Sequence, residues 1–245
     1  MDSIQKLHDI LQQSRHLCVF TGAGISVPSG IPDFRSAEGI YSQKTHTRYR
    51  PEEMISHSFF MRHPDLFYTF YKSKMLYPNA KPNAAHRFFA QLEQEGKTVS
   101  VVTQNIDGLH QAAGSSHVYE LHGSVHRNYC HRCGRFFSME ELLALPGEVP
   151  RCPDDGEIIK PDVVLYEEPL DDRVVRGALH AIGEADTLLI IGTSLVVYPA
   201  AAYVRYFQGE HLALINKTPT PMDNEAEIAL YDDVVKVIGQ LEKIK

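Results

Sequence analysis

The sequence has no tryptophan, only four cysteines in 245 residues, and no apolar run long enough to cross a bilayer as a helix. So few cysteines exclude a disulfide-stapled scaffold, and the missing run excludes a helical membrane protein. Positive charge is also short: 24 Lys and Arg against 31 Asp and Glu give a net charge of −7. That balance leaves no basic face for a nucleic acid, although an acidic surface suits basic protein substrates. The first residues, Met1 to Leu11, read as a polar helix without the apolar core of a signal peptide, so a cytoplasmic location is expected. No internal repeat, heptad or low-complexity tract occurs, and a monomer is expected. With 43% hydrophobic residues, the chain can bury one large domain, or a large one with a small insert.

What is present begins with a glycine turn. The apolar run His16–Phe20 reads as a buried strand and delivers into Gly22-Ala23-Gly24-Ile25-Ser26, with Gly30 beyond. Glycines there allow a tight turn and let backbone N–H groups approach a ligand. A helix starting after such a turn would present free amides to a pyrophosphate. Ile31-Pro32-Asp33-Phe34-Arg35 then adds a carboxylate, an aromatic ring and a guanidinium. The pattern falls short of the full G-x-G-x-x-G fingerprint and lacks the usual acidic residue about twenty positions on, so a merely connecting turn remains an alternative.

Short apolar runs recur at His16–Phe20, Thr98–Thr103, His117–Leu121, Thr187–Gly192, Leu212–Asn216 and Val234–Ile238. Amphipathic stretches lie between them: Ser3–Ser14, Asn83–Glu95 with Asn83 as N-cap, Asp172–Glu184 and Pro199–Phe207. Strand and helix alternating in this way imply an α/β fold, a Rossmann-like parallel sheet with helices on both faces. Ligands in such sheets bind beyond the carboxyl ends of the strands. Two stretches interrupt the alternation. Residues 36–82 read as a helical insert, and residues 128–160 carry Cys130, Cys133 and Cys152 with little periodicity. The second stretch is poor in core formers, and its cysteine spacing points to a metal that staples it. The inserts are expected to form a small domain, leaving 1–35, 83–127 and 161–245 as the nucleotide-binding domain. Cys18, inside the first strand, reads as a small buried hydrophobe.

Two polar clusters fall at strand ends. Gln104, Asn105 and Asp107 offer amides and a carboxylate suited to ribose hydroxyls or a carboxamide, or else simply cap a turn. His122, followed by Gly123, is placed for general base work near neutral pH.

The segments GAGISVPSGIPDFR (22–35), TQNIDGLH (103–110), ELHGS (120–124) and GTSLVVYPAA (192–201) occur in this order. Together they resemble the sirtuins, the NAD-dependent protein-lysine deacylases, and the resemblance spans nearly the whole chain. It implies a transferase that consumes NAD, releases nicotinamide and passes the acetyl group of a lysine to ADP-ribose. His122 resembles the catalytic base, and Asn105, also catalytic, would lie with Ser26, Ile106 and Asp107 around the nicotinamide end of NAD. Gly22, Ala23, Gly24, Phe34, Arg35 and Gln104 would meet the pyrophosphate and nearer ribose. Thr193, Ser194, Asn216 and Asp233 would hold the adenosine half. Val164 and Tyr166 would line the acyl-lysine tunnel, with the substrate peptide added as a strand beside Leu195–Tyr198. Acetylated protein lysines are the expected partners, with no nucleic acid or membrane.

Sirtuins place two C-x-x-C pairs in the cysteine insert, which is zinc-ribbon-like. Here the second pair reads Cys152-Pro153-Asp154-Asp155, so the implied structural zinc would be held by Cys130, Cys133, Cys152 and Asp155, the alternatives being the three cysteines completed by water or a histidine, or no zinc at all. Relatives selective for acidic acyl groups carry a tyrosine and an arginine three residues apart. This chain has Tyr71 and Lys74, which favours acetyl. Mono-ADP-ribosyl transfer or NAD hydrolysis on the same scaffold is the alternative activity, and a non-catalytic NAD sensor is a further one.

Overall fold

The computed structural model describes residues 2–42 and 48–244. Residues 43–47 of the expected helical insert lie outside the described residues, as do both terminal residues. Among the described residues the strands are β1 His16–Thr21, β2 Thr98–Thr103, β3 Val118–Glu120, β4 Gly123–Cys130, β5 Phe136–Phe137, β6 Ile159–Val163, β7 Thr187–Ile191, β8 His211–Ile215 and β9 Ile228–Leu230. The α-helices are α1 Ser3–Gln13, α2 Pro51–Met54, α3 His57–Arg62, α4 Pro64–Lys74, α5 Ala84–Gln94, α6 Leu109–Ala113, α7 Met139–Ala144, α8 Asp172–Gly183 and α9 Val234–Leu241.

Six strands form one parallel sheet in the order β3-β2-β1-β7-β8-β9. Its strands alternate between two cores. Leu17 and Val19 of β1 face α1, α5 and α9, whereas Cys18 and Phe20 face α8 and the 3₁₀ turn Ala200–Tyr206. A sheet covered on both faces explains why its strands read as unbroken apolar runs. Asn83 caps α5 as expected, accepting from Ala85 N–H at 2.9 Å.

One expected strand is a helix. Val234–Ile238 belongs to α9, and the sixth strand of the sheet is β9 instead. The buried residues Val234, Val237, Ile238 and Leu241 follow helical spacing, and the Asp233 carboxylate caps the first turn. Helical periodicity and a cap outweigh the strand preference of β-branched residues there.

A second, three-stranded sheet, β5-β4-β6, is antiparallel. It shares a third core with the helical segment, where Phe59, Phe60, Phe67, Tyr68 and Tyr71 pack with Val125, Phe137, Ile159 and Val163. The Tyr68 hydroxyl donates to the Ile159 carbonyl and ties the two pieces together. β4 runs across the expected boundary at 127/128, and β6 across that at 160/161.

Candidate active site

The carboxyl ends of β1, β2, β7 and β8 open into a cavity of ≈ 830 Å³. The chain order reverses between β1 and β7, the point where open parallel sheets leave a crevice. The glycine turn stands on one wall. It continues as two 3₁₀ turns, Ala23–Ile25 and Val27–Ser29, rather than as a regular α-helix. Its glycines answer first to the neighbouring strand. A Cβ on Gly24 would lie 2.6 Å from Gly192 Cα, and one on Gly22 would lie 2.7 Å from Thr193 Cβ. Their amides are also taken, Gly22 N–H by Ile191 O and Gly24 N–H by Gly192 O. These glycines let two strand-end loops touch, a closer constraint than access for a ligand. Gly30, by contrast, has φ of 86° and open space around its Cβ position, so it serves backbone conformation.

The loop after β2 supplies the densest polar network. Thr21 Oγ1 donates to Thr103 Oγ1 at 2.8 Å, and Thr103 Oγ1 accepts from Asn105 N–H at 3.0 Å. Asn105 Nδ2 donates to Gly22 O and to Ser26 Oγ, both at 3.2 Å. Ser26 Oγ donates in turn to Asp107 Oδ2 at 2.7 Å. Both amide hydrogens of Asn105 are therefore committed, and what it can offer a ligand is its carbonyl oxygen. Burial pushes the Asp107 carboxyl above its ordinary pKa, against the pull of Ser26 and of Leu109 N–H.

His122 sits in the turn between β3 and β4, on the cavity wall. Its Nδ1 lies 2.9 Å from the Gln104 carbonyl. A carbonyl can only accept, so Nδ1 carries the proton and Nε2 keeps a bare lone pair. Burial lowers the pKa of this imidazole, and the bond to Gln104 opposes that shift. The result is a neutral ring, held in one tautomer, with a basic nitrogen to give. Val164 N–H donates to the His122 carbonyl at 3.0 Å and joins this turn to the segment bearing Tyr166. Glu167, just after Tyr166, has φ of 78°, and Leu195, just after Ser194, has φ of 54°. Non-glycine residues in this conformation concentrate at functional sites.

The cavity brings together Gly22, Ala23, Gly24, Ser26, Phe34, Arg35, Gln104, Asn105, Ile106, Asp107, His122, Val164, Tyr166, Thr193, Ser194 and Asn216. Asp233 stands apart. Its carboxylate accepts from Val235 N–H and lies 3.2 Å from Lys217 Nζ, while Asp232 and Val234 line the cavity beside it. Tyr41 and His126 also line the cavity, though sequence reasoning missed them. The Tyr41 hydroxyl lies 3.2 Å from that of Tyr166, and the Arg35 guanidinium lies over the Tyr41 ring. Of the pair considered for acyl choice, Lys74 reaches the cavity wall, but Tyr71 is fully buried and stacked on Phe67.

Cys130, Cys133, Cys152 and Asp155 converge away from this cavity, each offering a donor atom within 4.8 Å of the others. Cys133 and Cys152 Sγ are 3.8 Å apart, and Cys130 Sγ lies 3.4 Å from Asp155 Oδ1. Tetrahedral zinc with ordinary Zn–S and Zn–O bonds separates two sulfurs by about 3.8 Å, and a sulfur from an oxygen by about 3.5 Å. The donor set therefore fits zinc in kind and spacing.

The chain belongs to the Sir2 family, whose model matches residues 22–199. It is 54% identical over 241 residues to the NAD-dependent protein deacetylase of Clostridium perfringens, covering 98% of each chain. It is 52% identical over 238 residues to the enzyme of the same name from Clostridium acetobutylicum, covering 97% of each. A solved Sir2 structure holding deacetylated p53 peptide and 3′-O-acetyl ADP-ribose superposes with a TM-score of 0.88 at 38% identity. A Sir2 structure with p53 peptide and NAD⁺ gives 0.86 at 39% identity. Each of these two superpositions covers 98% of this chain and 97% of the other.

Proposed function

We propose that this chain is an NAD-dependent protein-lysine deacetylase, passing the acetyl group to ADP-ribose and releasing nicotinamide. The observation that carries the reading is His122, a neutral imidazole with a free Nε2 on the wall of the cavity that also holds the glycine turn and Asn105. In this reaction the acetyl oxygen attacks C1′ of the nicotinamide ribose, and the C1′–nicotinamide bond breaks. His122 then takes the proton of a ribose hydroxyl as that oxygen attacks the acetyl carbon. No protein nucleophile is required, in keeping with Cys18, a buried thiol whose pKa burial pushes up to about 12.

Asn105, Ser26, Ile106 and Asp107 would surround the nicotinamide. Gly22, Ala23, Gly24, Phe34, Arg35 and Gln104 would hold the pyrophosphate and nearer ribose, with Phe34 keeping water from the reacting carbon. Thr193, Ser194, Asn216 and Asp233 would take the adenosine half, Asp233 acting from outside the cavity lining through Lys217. Val164 and Tyr166 would line the acetyl-lysine tunnel. Zinc bound by Cys130, Cys133, Cys152 and Asp155 would staple β4 to the segment before β6 and take no part in the chemistry. The division into 1–35, 83–127 and 161–245 against 36–82 and 128–160 would set the nucleotide-binding domain apart from the two inserts, with β4 and β6 crossing its 127/128 and 160/161 boundaries. The four cysteines are unpaired by disulfides, which suits a cytoplasmic location, and a monomer is the state proposed. No helix among the described residues is long and apolar enough to cross a membrane.

The test is nicotinamide release from NAD by the purified protein, with and without an acetyl-lysine peptide, alongside His122→Ala. Peptide-dependent release, with deacetylation lost in the variant, is the expected result. Release without peptide would replace this reading with NAD hydrolysis or ADP-ribosyl transfer.

A further inference from the structure

The joint between the two sheets is a bulge in β4. Ser124 pairs with Asp162 and Asn128 with Pro161, so Val125, His126 and Arg127 have no partner on β6. Val125 and His126 turn to the cavity wall, and Arg127 turns to carboxylates behind it. Val125 N–H donates to Ile106 O at 3.0 Å, and His126 Nε2 lies 3.0 Å from Asp107 O. Arg127 reaches two carboxylates, with Nη1 2.7 Å from Glu120 Oε2 and Nε 2.7 Å from Asp162 Oδ2.

Those carboxylates bracket the base. Glu120 ends β3, two residues before His122, and Asp162 lies two residues before Val164, whose N–H holds the His122 carbonyl. The turn is pressed on β6 without slack: a Cβ on Gly123 would lie 1.8 Å from Asp162 O. The Glu120 side chain is only 8% exposed and meets the Arg127 guanidinium as its ion-pair partner.

We propose that Arg127 is a positioning residue that clamps the His122 turn to β6, the strand that leads into Val164, setting the base against the acetyl-lysine. The inference rests on His122 acting as base. A bulge that re-aims side chains beside an active site is a recognised use of that irregularity. Two charge-assisted bonds from one planar group fix both distance and angle, which a lysine point charge does not. Arg127 reaches the chemistry only through Glu120, Asp162 and the turn they hold.

Two rates separate the clamp from general stability. Incorporation of labelled nicotinamide into NAD requires only the first bond exchange, whereas release of deacetylated peptide also requires the base. Arg127→Met is expected to keep nicotinamide exchange within about twofold of wild type and to lose about tenfold or more in deacetylation, since small misplacements of a reacting group cost on that order. Arg127→Lys recovers part of the loss. Glu120→Gln, a gentler cut of the same bond, shows the same split and carries the test should Arg127→Met fail to fold. A proportional fall in both rates, or no fall in either, overturns the clamp. His122→Ala is run in parallel, and deacetylation surviving there overturns the base instead.

Discussion

Ser26→Ala tests the polar network most directly. Ser26 is fully buried, and its hydroxyl donates to Asp107 Oδ2 at 2.7 Å while accepting from Asn105 Nδ2 at 3.2 Å. Its loss removes one bond to a charged group, worth about 1.5–3 kcal/mol, and one neutral bond worth about 1 kcal/mol. The total of about 2.5–4 kcal/mol lowers the melting temperature of a chain this size by roughly 5–15 °C. The pH dependence has a definite sign. Burial already raises the Asp107 pKa in the folded protein, so its charged form costs stability above that pKa and nothing once protonated. Removing the Ser26 donor enlarges that cost. The gap between variant and wild type is therefore widest at neutral pH and narrows as pH falls through the folded pKa of Asp107. Calorimetry at neutral and acid pH reads this, and the NAD KM should rise because Asn105 loses a support. A neutral-pH melting temperature within about a degree of wild type, with unchanged NAD KM, refutes the network as drawn.

The pH profile of deacetylation reports on His122. Its pKa is lowered from 6.5, and only the neutral ring accepts a proton, so the rate holds through neutrality and falls on the acid side below 6.5; a limb above 7 contradicts this. Gly24→Ala drives a Cβ to 2.6 Å from Gly192 backbone and costs about 1–3 kcal/mol in denaturant unfolding. Gly30→Ala meets no atom and costs only its positive φ, about 1 kcal/mol, so a milder Gly24→Ala would refute the packing argument. Elemental analysis should find one zinc per chain. A strong chelator should remove it and lower the melting temperature, and Asp155→Cys should slow that removal; a metal-free protein of equal stability rules the site out.

Much of the fold was legible because burial on both faces leaves a plain pattern. β1 and β7 are apolar nearly throughout, β2 buries Val99, Val101 and Val102, and their intervening helices carry the complementary stripe. Val234–Ile238 was misleading because four apolar β-branched residues around Lys236 in a short run fit either period, and only the cap at Asp233 and packing against α1 and α5 distinguish them. β4, β6 and β9 escaped notice for another reason. β4 and β6 are mixed in polarity and β9 is only three residues long, and pairing between distant segments makes them strands. Most of the expected site residues that line the cavity sit in short motifs, whereas Tyr41 and His126, which also line it, do not. Those two belong to no local pattern, and His126 faces the site only because the bulge turns it there.

The sequence by itself determined the chemistry on offer: a glycine turn, an amide-rich loop, a histidine at a strand end and three thiols with a carboxylate. These are short-range facts, fixed by residue type and spacing. Only the tertiary structure decided that Nδ1 of His122 is held by Gln104, that Asn105 keeps only its carbonyl oxygen to give, and that Asp233 lies behind the cavity lining. It also decided that Arg127 bridges Glu120 and Asp162. Each of these is a contact between segments far apart in the chain or re-aimed by an irregular ladder, and no local periodicity encodes it.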